Sequence, residues 1–187
     1  MLHSGKQPGN TTHTVPEPSA ASWRIEPLSD GHGVEAFCCG KPSLDDYIRR
    51  YALRNQRNDM GRTFVATEPE SKRVCGYYTI ASGKVANRDL PEEERRLLPR
   101  YPVPVMLIAK LAVDQTSQGC GLGAQLLLDA LRLADEASRI MGIRGVEVDA
   151  LDEDARRFYL KYGFKSLLDD PLHLYLSIAS VRKLGLR

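Results

Sequence analysis

Residues 105–123 constrain the fold more than any other stretch of the chain. They read Val-Met-Leu-Ile-Ala-Lys-Leu-Ala-Val-Asp-Gln-Thr-Ser-Gln-Gly-Cys-Gly-Leu-Gly. The apolar run ending at Val113 predicts a buried strand. Residues 118–123 then make a glycine turn. Beyond it Leu122, Leu126, Leu127, Ala130, Leu131, Ala134 and Ala137 recur on one helical face, which predicts an amphipathic helix packed on a sheet. The first amides of a helix lack intrahelical partners, and the helix dipole is positive there. Such a turn takes phosphate, so a phosphorylated ligand is expected.

At 187 residues the chain has room for one core. A composition of 42% hydrophobic and 27% charged residues is that of an ordinary soluble protein. The net charge of +2 says little alone. Its distribution says more: Arg49, Arg50, Arg54, Arg57 and Arg62 face only Asp59 within residues 49–62. That excess either attracts an anionic polymer or is a solvated helix face. Residues 1–20 have almost no large apolar side chains and are expected to be a disordered arm. One domain is expected over residues 21–187, its order beginning near Trp23.

The cysteines Cys38, Cys39, Cys75 and Cys120 show no CxxC spacing, and adjacent Cys38 and Cys39 do not bridge easily. With no secretory signal and no apolar run long enough for a bilayer, reduced thiols in a cytoplasm are expected, and no membrane. His3, His13, His32 and His173 are scattered, so no metal site is expected.

A helix should follow Pro42 and run to about Gln56, with Ser43 as N-cap and Asp45 and Asp46 in its first turn. Residues 62–67 and 73–82 predict an antiparallel hairpin. Residues 84–104 contain Pro91, Pro99, Pro102 and Pro104 and predict a loop, with one short helix from Pro91. Residues 145–150 predict a strand. Residues 152–162 predict a helix stopped by Gly163 at its C′ position. Residues 164–168 and 173–177 predict a closing hairpin.

Three phosphate sites compete for the glycine turn. A P-loop needs GxxxxGK[ST], and no lysine or hydroxyl residue follows Gly123 at that spacing. A dinucleotide fingerprint, G-x-G-x-x-A, is met by Gly119, Gly121 and Ala124, with Asp149 near the place of a ribose contact. That fold, however, begins with this unit and needs further βαβ repeats. The third reading is Q-x-x-G-x-G, from Gln118, Gly121 and Gly123.

With Ala155, Phe158, Tyr159, Gly163 and Phe164 downstream, that third pattern resembles the GCN5-related N-acetyltransferase (GNAT) superfamily. Asp152 stands where many members have Asn. The finer segments 39–47, 62–65, 76–81 and 110–114 resemble the GNAT toxins of bacterial type II toxin–antitoxin systems. The resemblance covers residues 23–178. It implies an α/β fold with a mixed, mostly antiparallel central sheet, a splayed parallel strand pair and helices on both faces. It implies acetyl transfer from acetyl-CoA to the α-amino group of aminoacyl-tRNA, which blocks translation. It also implies a ribbon-helix-helix antitoxin as partner and a homodimer. An ordinary N-acetyltransferase for a small or protein amine, or a non-catalytic acyl-CoA-binding module, would share the fold.

On this resemblance the backbone of Leu111 and Val113 binds pantetheine as an added strand would. The amides of Gln118, Gly119, Cys120, Gly121, Leu122, Gly123 and Ala124 take the pyrophosphate. The Val113 N–H holds the oxyanion. Tyr159 is the general acid that protonates the departing thiolate, with Tyr162 as the fallback. An α-amine titrates near pH 7.7–8.0, so no strong base is needed. Lys110, Arg49 and Arg54 are candidate contacts to tRNA phosphates, with Arg50, Arg57, Arg95, Arg96 and Arg100 as further members of the set.

Overall fold

A computed structural model describes residues 23–96 and 98–186. The predicted arm, residues 1–20, lies outside them. The chain runs β1 (Arg24–Pro27), α1 (Pro42–Asp46), α2 (Ala52–Arg57), β2 (Arg62–Thr67), β3 (Val74–Val85), α3 (Glu92–Arg95), β4 (Val103–Val113), α4 (Leu122–Ser138), β5 (Gly145–Asp149), α5 (Glu153–Leu160), β6 (Lys165–Ser166), β7 (His173–Ser177) and α6 (Ile178–Lys183). The strands form one seven-stranded sheet in the order β1-β2-β3-β4-β5-β7-β6. Only β4 and β5 are parallel. They are joined through α4, as a parallel pair requires a crossover. A largely antiparallel sheet excludes the dinucleotide fold.

The core lies on both faces. On one, Leu122, Leu126, Leu127, Ala130, Leu131 and Ala134 of α4 meet Met106, Ile108, Val146, Val148 and Leu174, and α5 and α6 add Tyr159 and Val181. On the other, Phe37, Ile48 and Ala52 cover Val65, Val74 and Tyr77. Neighbours Tyr77 and Tyr78 thus serve opposite cores, as strand alternation demands. Gly76 lets α4 come close: a Cβ there would lie 2.9 Å from Leu126 Cδ1 and 3.1 Å from Leu122 Cδ2.

The helix predicted after Pro42 is less regular than its pattern. Lys41, not Ser43, holds the N-cap position, with Pro42 opening the helix; a proline loses nothing there, since an N–H at that position would have no helical acceptor. Asp45 instead reaches back and accepts the Cys39 N–H at 2.7 Å. A π-helical turn, Tyr47–Tyr51, separates α1 from α2. α5 stops at Leu160, two residues short of the expected end, because the bonds from Lys161, Tyr162 and Gly163 tighten to the i−3 carbonyls. Gly163 takes φ +86° beyond that turn. α6 was not expected: Ser177 ends β7 and also caps α6, accepting the Ser180 N–H at 3.2 Å.

One irregularity positions the site. Thr79 pairs with Lys110, but Ile80 pairs with Ile108. Ala109 is the extra residue of a β-bulge, and a bulge bends its strand. The pairing with β5 covers only Val105 to Ile108. β4 therefore leaves β5 at the bulge and runs on unpaired along that edge to Val113.

Candidate active site

Which way the β4 backbone points beyond the bulge follows from one bond. The Asp114 N–H donates to the Cys75 carbonyl at 2.8 Å. Antiparallel pairs alternate between bonded and non-bonded, so Val113 opposite Gly76 and Leu111 opposite Tyr78 do not bond β3. Their N–H and C=O groups face the side β5 has left. The Gln118 side chain takes one of them, donating to the Val113 carbonyl at 3.0 Å and to the Cys39 carbonyl at 3.2 Å. The Val113 N–H and both Leu111 groups face the cleft.

This edge floors a cavity of about 360 Å³. Cys39, Lys41, Ser43 and Leu44 make one wall. Asp149, Leu151, Asp152, Asp154, Ala155 and Tyr159 make the other, and Lys110, Leu111 and Val113 lie between. A second cavity, about 340 Å³, adjoins it through Val113 and Gln118. Gly119, Gly121, Leu122, Gly123, Ala124, Phe158 and Tyr162 line it.

The glycine turn folds as it does because Gly119 and Gly121 take φ +76° and +86°, a region costly for other residues. The first bond of α4 runs from Gln125 to Gly121, which leaves the amides of Leu122, Gly123 and Ala124 ahead of it. The Leu122 side chain is in the core, at 1% exposure, so only its backbone reaches the cavity. The Gln118 N–H donates to the Gln115 carbonyl at 3.4 Å, closing a 3₁₀ turn (Gln115–Ser117). The Cys120 thiol donates to the Gln118 carbonyl at 3.6 Å.

Tyr159 is 7% exposed and packs edge-on to Phe158 at 5.2 Å and against Phe164 at 5.4 Å. Burial holds its phenol well above the ordinary 10, so the hydroxyl keeps its proton as a donor. No protein group bonds that hydroxyl among the described residues. Tyr162 lines the other cavity, beside the glycine turn, and burial raises its phenol too. The two tyrosines therefore serve different cavities.

Asp152 is accounted for by the protein itself. One oxygen accepts the Ala155 N–H at 2.9 Å as the cap of α5, and the other holds Lys41 at 2.9 Å. The Ala155 amide and then Lys41 keep its carboxyl below the usual range. The Cys39 thiol, pushed up to about 11 by burial and then by Asp45, is not a nucleophile at neutral pH.

The basic residues are dispersed. Lys110 reaches the cavity with its ammonium 5.7 Å from the Tyr47 ring centre. Arg49 is bonded to the Phe37 carbonyl. Arg54 lies over Tyr51 at 5.3 Å. Asp30 and Asp46, outside the window that suggested an unpaired run, approach Arg57 at 2.6 Å and Arg50 at 3.7 Å. The local excess is smaller in space than in sequence. Among the described residues no group of His, Cys, Asp or Glu could hold a metal ion, and no helix is long and apolar enough to cross a membrane.

The acetyltransferase (GNAT) domain pattern matches residues 59–166, which spans β2 to β6 and the whole cleft floor. The chain belongs to the GNAT acetyltransferase family. Two relatives narrow the position of this GNAT chain. A "tRNA-acetylating toxin" of Mycobacterium tuberculosis is 44% identical over 157 residues, covering 84% of this chain and 93% of the relative. A "probable toxin TacT" of Sinorhizobium fredii is 37% identical over 175 residues, covering 88% and 96%. Among solved structures, AtaT complexed with acetyl-methionyl-tRNAfMet superposes with a TM-score of 0.82 at 28% identity, covering 88% of this chain and 99% of that one. AtaTR bound with AcCoA superposes with a TM-score of 0.77 at 28% identity, covering 87% and 98%.

Sequence reasoning missed Asp114, Lys41 and the Gln118 side chain as builders of this GNAT cleft. Asp114 had a visible signal, Asp-x-Thr, the pattern of an aspartate that bonds the backbone two residues on. Lys41 had none.

Proposed function

We propose that this acetyltransferase is the toxin of a toxin–antitoxin pair and moves acetyl from acetyl-CoA to the α-amino group of aminoacyl-tRNA. The observation that carries the reading is the 44% identity to a tRNA-acetylating toxin across 84% of the chain. In this reading the Leu111 backbone binds pantetheine. The amides of Gly119, Cys120, Gly121, Leu122, Gly123 and Ala124 take the pyrophosphate. The amine nitrogen bonds the thioester carbonyl carbon, and the Val113 N–H holds the oxygen as it turns anionic. As the C–S bond breaks, Tyr159 gives its proton to the sulfur. The nitrogen's surplus proton leaves to solvent.

Labelled acetyl-CoA with charged and uncharged tRNA tests the reaction. Label on charged tRNA alone is expected. Label on proteins or small amines instead would discard the toxin reading and keep the fold.

Gly123 separates ligand binding from folding. A Cβ there would lie 3.6 Å from Val113 Cγ2, ordinary contact. Alanine is favoured over glycine in a helix by about 1 kcal/mol. Gly123→Ala should therefore keep or raise the unfolding temperature. Its methyl enters the second cavity, and acetyl-CoA affinity measured by calorimetry should fall about tenfold, or 1.4 kcal/mol. Unchanged affinity would remove Gly123 from the ligand site.

Lys110→Glu should lower kcat/KM for charged tRNA about tenfold and reduce the salt slope by about one phosphate contact. Acetyl-CoA affinity should stay near wild type. Equal loss of both would sink the RNA assignment of Lys110. Arg49 and Arg54 are proposed as weaker contributors, since each already has a partner. Action in the cytoplasm, a ribbon-helix-helix antitoxin and a homodimer complete the reading. Co-purification with the adjacent gene product and light scattering check the last two; a monomer with no bound partner would refute them.

A further inference from the structure

We propose that Asp149 receives the α-amino group of the acceptor and turns the cleft against acidic aminoacyl groups; this rests on the aminoacyl-tRNA reading above. Asp149 is the last residue of β5, one step beyond the final rung with β4, Ile108 opposite Val148. It stands where the parallel pair has parted. Its carboxylate is exposed and lines the same cavity as Lys110, Leu111 and Tyr159. Among the described residues no cation or N–H engages it.

Its neighbours do not neutralise it. Across the sheet Asp149 pairs with His173. That ring is already held at both ends: Nε2 meets Glu147 at 2.6 Å and Nδ1 meets Asp169 at 2.8 Å. Burial lowers the His173 imidazole, but the bonds to Asp169 and Glu147 outweigh it and the net is a raised value, so both ring nitrogens are engaged and neither is left for Asp149. Gly83 gives Glu147 its room, since a Cβ there would lie 2.7 Å from Glu147 Oε2. Lys41 is spent on Asp152. Of Asp149, Glu147 and Asp169, Asp149 alone lines the cleft.

A carboxylate beside a thioester site that no cation bonds among the described residues suits an α-amine, which docks as its ammonium and gives one proton to water before it attacks. The carboxylate accepts an N–H bond and orients the nitrogen toward the carbonyl carbon. As the C–N bond forms, the nitrogen loses a proton to Asp149, which passes it to water. The C–S bond breaks at the same centre, and sulfur receives the Tyr159 proton. A glutamyl or aspartyl group would bring its own carboxylate into this field and be disfavoured.

The test compares wild type, Asp149→Asn and Asp149→Glu. Three readouts are taken: acetyl-CoA affinity, kcat/KM on separately charged tRNAs, and binding of aminoacyl-tRNA against α-hydroxyacyl-tRNA, which lacks the amine. Asp149→Asn should keep acetyl-CoA affinity and unfolding temperature. It should lose about tenfold or more in kcat/KM, the scale of one charge-assisted hydrogen bond. It should also lose the preference for amine over hydroxyl, and narrow the gap between acidic and neutral aminoacyl groups. Asp149→Glu should restore the amine preference. An Asn variant that keeps the wild-type rate and preference overturns the proposal, as does one that loses acetyl-CoA affinity in parallel. A wild type that acetylates no charged tRNA overturns the parent reading and this one together, and is seen before any variant is made.

Discussion

Tyr159→Phe should cut kcat for acetyl transfer by about 10²- to 10⁴-fold, the range for loss of a general acid. Acetyl-CoA affinity and unfolding temperature should stay near wild type. The ring makes the packing contacts, with Phe158 and Phe164, and phenylalanine keeps the ring. Among the described residues no protein group bonds the hydroxyl, so no buried partner there is orphaned by its removal. Burial holds the phenol above the ordinary 10, so it stays protonated through neutral pH, and titration of Tyr159 should cause no loss of rate below about pH 10. Single-turnover rates with saturating acetyl-CoA measure the effect. A loss under tenfold would take the acid role from Tyr159. Tyr162 would not inherit it readily, because it opens on the glycine turn rather than on the Leu111 edge.

The fold was legible where one periodicity ruled a long segment. Of the seven residues expected on the α4 face, Leu122, Leu126, Leu127, Ala130, Leu131 and Ala134 are buried and Ala137, near the helix end, is half-buried, because a single helix face meets a single sheet face. β2 has its predicted bounds because Thr63, Phe64, Val65 and Thr67 are β-branched or aromatic and Gly61 and Glu68-Pro69 flank them. Legibility failed where tertiary bonds compete with local preference. Ser43 is a good cap by type, but Pro42 takes the first helical position and moves the cap to Lys41. The π-helical turn at Tyr47–Tyr51 is invisible to a pattern of period 3.6. α6 is short, and its cap, Ser177, also ends a strand.

The candidate site was legible in part for a similar reason. The glycine turn and the Tyr159 segment are local patterns, so spacing marks them. The bulge at Ala109 is not: it is a mismatch between two strands, and neither strand shows it alone. Without the bulge β4 would stay paired with β5, and Leu111 and Val113 would have no edge to offer. Gln118 shows the limit of motif reasoning. Its place in the pattern suggested a backbone donor, whereas its side chain ties the turn to Val113 and Cys39.

Asp114 sits where these parts meet, and its removal should be costly to both stability and ligand binding. The carboxylate is 2% exposed. It accepts the Cys38 N–H at 3.0 Å, the Thr116 N–H at 3.1 Å, the Thr116 hydroxyl at 2.6 Å and the Arg73 guanidinium at 2.9 Å. It thus fastens the Cys38–Cys39 wall, the turn before the glycines and the start of β3. Asp114→Ala leaves buried donors unpaired, while Arg73, half-exposed, regains water. A loss of about 2–4 kcal/mol follows, or roughly 4–16 °C in unfolding temperature for a chain of this size. Acetyl-CoA affinity should fall with it, since the wall and the turn both loosen. Burial pushes the Asp114 carboxyl up, but the bonds from Thr116 and Cys38 and the charge of Arg73 outweigh it, and the net is a value below the ordinary 3.8. A carboxyl lowered on folding stabilises the protein above its unfolded value, and that contribution is lost as pH falls through the folded one. The gap between wild type and Asp114→Ala should therefore be full at pH 7 and shrink below about pH 3.8. Calorimetric unfolding across that range checks it: a gap independent of pH would mean that Asp114 acts by packing, and that its charge does not hold the cleft together.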